Sequence, residues 1–304
     1  VMKGSGNDDL GLRAYVGYRH RAISVYNDIA FDYYKARTSS FGRWGDMALI
    51  SGAESPYDGQ GMLRPFVDVG GKPVPNPVYE HSLGSLFKER TATLTDRLGL
   101  RIDLPWGLQF NGNYSYVRQF VRYDDFRSPS SAIFLANTDL RANGTYHIRR
   151  SGYTSYEGGA SLDHQANIAR GRLSSSLGFS LFDGHRTGES YGGRGILSDR
   201  MAYITFTQGY DTLQAPTANR LYERTLRIFL NTDYTFNRRY GIMLSGHLNR
   251  SNLLAPDNRT RFYWAGKLYW NVHNEPWLKN DRLKTLRLYL EAGTTGVVPF
   301  SYTD

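Results

Sequence analysis

The side chains able to do chemistry are scattered along this 304-residue chain and do not gather into sets. Seven histidines (His20, His81, His147, His164, His185, His247, His273) form no pair at metal-ligand spacing. Cysteine is absent, which excludes a disulfide scaffold and a zinc-cysteine module. Asp124-Asp125 supplies two carboxylates, but calcium needs six to eight oxygens, so a solvated loop pair accounts for them better. Ser190-Tyr191-Gly192-Gly193-Arg194-Gly195 is glycine-rich without the strand–helix context that makes such a loop a phosphate cradle. Asn143-Gly144-Thr145 and Asn258-Arg259-Thr260 match the N-glycosylation pattern, which arises often by chance. The expectation is a protein that is not an enzyme, with no metal and no cofactor.

Binding is better supplied. Sugars and peptides are held by aromatic faces and by planar hydrogen-bonding groups. With the long connections outside the cell, Tyr34, Arg37, Arg90, Arg122, Asp124, Tyr156, Arg186 and Tyr222 are expected near the outer lumen, and they are the candidate ligand contacts. The formal charge of +9 is spread singly, with Arg149-Arg150 and Arg238-Arg239 as isolated pairs. A nucleic-acid surface would need clustering, so none is expected.

These side chains must be carried by strands. Period-two alternation dominates. Leu10, Leu12, Ala14, Val16 and Tyr18 alternate with Gly11, Arg13, Tyr15, Gly17 and Arg19. Ile23, Val25, Ile29, Phe31 and Tyr33 follow, with Asn27 breaking that face. Similar sets start near residues 92, 108, 153, 173, 226, 242, 262 and 286, making about ten strands. No uninterrupted apolar run approaches the ~18 residues of a membrane helix. Connections alternate between short (near 20–22, 104–107, 165–170, 237–240, 274–282) and long (37–88, 121–152, 183–222 and, less long, 251–260). That is the pattern of a transmembrane β-barrel with short periplasmic turns and long extracellular loops. The second face carries Tyr, Arg, Ser, Asn and Gly, as a wet lumen does. Trp106 and Trp277 fall at the short-turn end, where an aromatic girdle belongs.

Three stretches resemble the SusC/RagA family of TonB-dependent outer-membrane transporters. They are Asn76-Pro77-Val78-Tyr79-Glu80-His81-Ser82-Leu83-Gly84-Ser85 with Phe126-Arg127-Ser128-Pro129; Trp270-Asn271-Val272-His273-Asn274-Glu275-Pro276-Trp277-Leu278; and Leu283-Lys284-Thr285-Leu286-Arg287 with Gly293-Thr294-Thr295-Gly296. Ser55-Pro56-Tyr57-Asp58 and Gly61 are similar to an early loop of the family. Tyr289, Val297 and Asn249-Arg250-Ser251-Asn252 depart from its pattern. Asn76, Pro77, Tyr79, Trp270, Asn271, His273, Asn274, Glu275, Gly293 and Gly296 are read as motif residues with structural roles, His273 as a turn-stabilising side chain.

The resemblance implies an all-β, 22-stranded barrel, of which residues 1–304 are a partial barrel domain of about ten strands. The family's plug domain, TonB box and last strands have no counterpart here. The first nine residues lack the apolar core of a signal peptide, so a mature product or a piece of a longer chain is expected. The partners implied are a SusD-like surface lipoprotein lid, the TonB complex, further barrel strands, an oligosaccharide or oligopeptide substrate, and the lipid and lipopolysaccharide of the outer membrane. The expected function is active nutrient import. Two other readings stay open from the residues: a secreted soluble β-sandwich or propeller that binds carbohydrate, and a SusC-like barrel used as a scaffold in a surface complex.

Overall fold

The structure is a computed structural model that describes residues 6–38, 55–211, 214–278 and 283–294. The alternating segments become β1 (Gly6–His20), β2 (Ile23–Thr38), β5 (Leu86–Leu104), β6 (Leu108–Arg127), β7 (Thr145–Ile168), β8 (Gly171–Arg194), β10 (Thr217–Phe236), β11 (Tyr240–Ser251), β12 (Thr260–Asn271) and β13 (Arg287–Gly293). They pair antiparallel in chain order as one meander. Between β2 and β5 lie a hairpin, β3 (Phe66–Val69) and β4 (Lys72–Pro75), and a helix, α1 (Pro77–Ser82). The two-residue β9 (Gly209–Tyr210) pairs with the end of β8.

The ladder runs further than the alternation implied. It continues through 121–127, 145–152, 183–194 and 217–222, stretches read above as loops. Small and charged residues there break the apolar pattern, yet backbone pairing does not depend on apolar side chains. β7 and β8 pair without interruption from Thr145 opposite Arg194 to Ile168 opposite Gly171. The tight turns have positive φ where the strand twist demands it: Ala169 and Arg170, and Asn237 and Arg238.

Because no register slips, each strand keeps its two faces over its whole length. One face carries Leu12, Val16, Ile29, Leu98, Leu162, Phe179, Ile228, Leu244, Leu268 and Leu290, all exposed, Val16 at 68% and Leu290 at 72%. A soluble sandwich would bury such a face in a dry core. An apolar area of this extent requires a cover, and lipid is the cover for a barrel wall. On β5 the apolar positions run from Leu94 to Leu104. At ~3.3 Å per residue and a tilt of ~40°, that is roughly 25 Å, the height of a lipid-facing band. Asn27, which breaks the band, donates to Asp96 on the same face at 2.6 Å, so the two polar groups satisfy each other. Among the described residues, β1 and β13 are each paired on one side only.

Tyr and Gly stand on both faces, and on the polar one rings lie over glycines. Tyr26 lies opposite Gly99 and lays its ring over it; a Cβ at Gly99 would sit 2.0 Å from the ring. At the β5–β6 turn, Gly107 has φ +74 and a Cβ there would meet the Gln165 carbonyl oxygen at 2.0 Å. Gly107→Ala in the full-length protein combines backbone strain with a collision against backbone. We expect a loss of about 1–3 kcal/mol or more, read as a lower midpoint in the heat-modifiable migration of the folded barrel.

Candidate functional site

The face opposite the apolar band is a continuous polar wall. Near the short turns, Arg13 forks onto Asp28 at 2.7 and 2.6 Å, with Arg97 directly opposite Asp28. Tyr269 donates to Asp233 at 2.9 Å, and the Arg287 guanidinium lies 4.9 Å from the centre of the Tyr269 ring. Arg170, Arg172, Arg238 and Arg287 border a cavity of about 700 Å³ at this end. Toward the long loops, Glu89, Tyr123, Arg149 and Ser190 form one cross-strand row. Phe87, Asp125, His147 and Gly192 form the next. The Phe87 and Tyr123 rings stack at 5.7 Å, His147 Nε2 lies 3.0 Å from Asp211, and Arg186 lies over the Tyr153 ring at 5.5 Å. This wall offers both charge signs and aromatic faces to a ligand. Among the described residues, no group of three or more His, Asp or Glu could hold a metal ion.

Strand parity sorts the eight candidate contacts. Tyr34 and Arg186 stand on the polar wall. Arg37, Arg90, Arg122, Asp124, Tyr156 and Tyr222 stand on the other face, in line with Phe31, Leu94, Phe120 and Leu181. Tyr156 packs against Tyr116 with the rings tilted, centroids 5.1 Å apart, and Tyr222 stacks on His185 at 4.5 Å. They belong to an outward aromatic girdle. Closeness to a loop selects the end of a strand but not its face. Counting in twos from the apolar band would have picked Glu89, Tyr123, Asp125, His147, Arg149 and Tyr153 instead.

The motif residues hold the two ends of the wall. Asn76 caps α1, accepting from the Val78 amide at 3.0 Å, and its amide donates to the Pro56 and Arg64 carbonyls at 2.9 and 2.7 Å. Pro77 occupies the first turn of α1, where no N–H is missed. Tyr79 donates to the Ser130 carbonyl at 2.9 Å. Glu80, fully buried, accepts from the Ser131 hydroxyl and from the Ala132 amide at 2.6 Å. The first long connection is thereby fastened to the second. Gly84 N–H donates to Asp199 at 3.0 Å, which ties in the third.

At the short-turn end, Glu275 accepts from the Tyr240 hydroxyl at 2.8 Å and from Trp270 Nε1 at 3.0 Å, and faces Arg239 at 3.3 Å. Asn271 and Asn274 both donate to the Arg238 carbonyl, and Arg287 donates to Asn271 at 2.6 Å. His273 Nδ1 meets the Leu286 backbone, 2.9 Å from its carbonyl and 3.2 Å from its amide. Two neighbouring turns are pinned together. Gly293 lies opposite Ala265 at the end of β13; Gly296 lies outside the described residues.

This arrangement is a wall of a transmembrane β-barrel, apolar outside and polar within. No family model matches the chain. A TonB-dependent receptor of Formosa agariphila is 20% identical over 191 residues, 62% of this chain and 18% of its own length. The RagAB peptide transporter superposes with a TM-score of 0.77 at 15% identity, over 98% of this chain and 34% of that chain. Its open-open state gives 0.75 at 16% identity, over 96% and 33%. The open form of the ferric-catecholate import receptor Fiu of E. coli K12 gives 0.51 at 12% identity, over 96% and 47%. The chain thus spans about a third of the RagAB transporter chains and less than a fifth of the curated relative. Its fold is that of an outer-membrane TonB-dependent transporter barrel. Among the described residues it is an arc of ten meander strands of such a barrel.

Two outcomes follow from the clamps. Glu80→Ala strands the buried Ala132 amide and Ser131 hydroxyl, a local cost of about 1–3 kcal/mol. We expect faster protease cleavage within residues 55–85 of the full-length protein in outer-membrane vesicles, with the barrel intact. The Tyr240 hydroxyl, then the Trp270 N–H, and the Arg239 charge hold the Glu275 carboxyl below the usual carboxylate range. A lowered folded pKa contributes stability above the unfolded value of ~4.3 and loses it as pH falls through the folded one. Amide exchange at the 237–240 turn should therefore accelerate as pH is lowered from about 5, after correction for intrinsic exchange. Glu275→Gln should flatten that dependence.

Proposed function

We propose that the chain is part of the barrel of a SusC-type active importer in the bacterial outer membrane. It takes up short oligomeric nutrients under a SusD-like lipoprotein lid, with energy delivered through TonB. The single observation that carries this reading is the bulge-free ten-strand wall, which faces lipid with one side and lines a polar lumen with the other. Its likeness in fold to the RagAB peptide transporter supports the same reading.

Between oligosaccharide and oligopeptide, the upper wall favours a peptide. Glu89, Asp125 and Asp211 stand among Arg149, Arg186 and His147. Both signs are what an amine, a carboxylate and ionised side chains require. The chain's part in transport is to bind, orient and enclose; no covalent step is assigned to it.

The test compares the two faces. In the full-length transporter with its lid, Arg149→Ala and Arg186→Ala should each weaken binding of a mixed-sequence oligopeptide by about tenfold, about 1.4 kcal/mol. Tyr156→Ala and Tyr222→Ala on the outer face should leave affinity unchanged. Calorimetry on the purified complex and peptide uptake with and without TonB are the measurements. Equal losses from both faces, or uptake independent of TonB, would overturn the proposal.

A further inference from the structure

The outward face changes character abruptly at the top of the apolar band. Lys35, Arg90, Arg122 and Arg150 are directly opposite one another on β2, β5, β6 and β7, a single cross-strand row of four cations. Like charges placed opposite each other destabilise a sheet unless an anion lies between them. Arg122 is held by Asp124 at 2.8 Å and Lys35 faces Asp8 at 3.4 Å. Arg90 and Arg150 are exposed, and Glu189 lies across from Arg150. One residue pair further into the band, Tyr33, Ala92, Phe120 and Gly152 form the floor of a groove of about 370 Å³ whose upper wall is Arg90, Arg122 and Arg150. The small Ala92 opens the floor between the two rings, and Gly152 opens it beyond Phe120.

A second outward groove, of about 710 Å³, combines the same residue types. Tyr114, Leu181 and Leu226 lie in its floor with Arg250 directly opposite Leu226 at one end; Tyr156, Asp183 and Arg224 form the next row toward the long loops, and Arg259 also lines it. Arg224 is paired with Asp183 at 2.8 Å. An apolar floor bordered by guanidinium groups, found twice at the edge of the lipid-facing band, matches a molecule with acyl chains below and phosphates above. Guanidinium forks suit phosphate oxygens bidentately, and basic pockets at a membrane surface hold anionic headgroups.

We infer that the outward rim binds individual outer-leaflet lipids with phosphorylated headgroups, of the lipid A kind. Acyl chains lie against Phe120 and Tyr33, and a phosphate sits between Arg90, Arg122 and Arg150. The inference rests on the outward assignment of this face and not on transport. The six outward-facing residues first counted as ligand contacts fall on this same face; among them, Arg90, Arg122 and Tyr156 line one groove or the other, and Asp124 holds Arg122.

The test uses the full-length transporter in phosphatidylethanolamine nanodiscs titrated with bis-phosphoryl lipid A, its dephosphorylated form, or inorganic phosphate alone. Native mass spectrometry counts bound lipid. Wild type should retain bis-phosphoryl lipid A at least tenfold more tightly than Arg90→Gln/Arg150→Gln, with Arg90→Lys/Arg150→Lys between them, and retention should fall as salt rises. Arg250→Gln/Arg259→Gln should lower the count independently at the second groove. Heat-modifiable migration identifies folded barrels, and only these are compared. Equal retention by wild type and both glutamine variants would sink the inference. So would equal retention of the dephosphorylated lipid, displacement by inorganic phosphate at the same concentration, or a change of oligomeric state in place of lipid loss, which would make this face a contact between copies. Peptide uptake is not the readout, so a failed import reading leaves this result interpretable.

Discussion

Everything in this structure depends on an unbroken hydrogen-bonded ladder. In a bilayer no water is present to satisfy a stray amide or carbonyl, so a spanning strand must pair along its whole length. Between β1 and β13 the registers meet that demand, each pair along the meander running without a bulge; among the described residues the outer edges of β1 and β13 are unpaired. The same continuity imposes parity, because a slip of one residue would move every side chain to the wrong solvent. One face can therefore meet lipid across the whole apolar band while the other stays wet. The polar pair Asn27–Asp96 is tolerated in the apolar band because each partner satisfies the other.

A ladder is stiff along its strands and free at its ends, and the motif residues act there. At the long-loop end, Asn76, Tyr79 and Glu80 spend their polar groups on backbone of the first and second connections. At the short-turn end, Glu275, Asn271 and Asn274 join the β10–β11 turn to the residues after β12. They set the outline of the mouth and of the base, and the side chains available to a ligand stand between, on the polar wall. A hydrophobic cluster of Phe126, Tyr146, Ile148 and Ile196 anchors the third connection against the outer side of the extended strands. It is a local core at the loop end, not the core of a domain.

Much of the fold was legible in the sequence. Alternation located ten strands, and unequal connections separated the two ends of the barrel. The histidine at 273 was read as a turn-stabilising group, and its ring does meet the Leu286 backbone. The strand extensions through 145–152 and 183–194 were not legible, because Gly, Ser and Arg at those positions carry no apolar signature although their backbones pair. Of the candidate contacts, only Tyr34 and Arg186 were placed on the lumen side. The other six were chosen by nearness to loops, and nearness does not specify a face. The signal that would have found Glu89, Tyr123 and Arg149 was present: each lies an odd number of residues from the apolar set of its own strand.

Residue order alone determined the class of architecture, since a period of two with lipid-compatible residues on every second position admits few solutions without cysteine or a long apolar helix. It also supplied the Tyr and Gly that pack ring against backbone across strands, as Tyr26 does over Gly99 and Tyr269 over Gly241. Only the tertiary structure decided which arginines meet one another. Arg90, Arg122 and Arg150 are far apart in the chain and share no motif. They become a row because three strands pair in one register, and the energetic consequence of three adjacent charges exists only after that pairing.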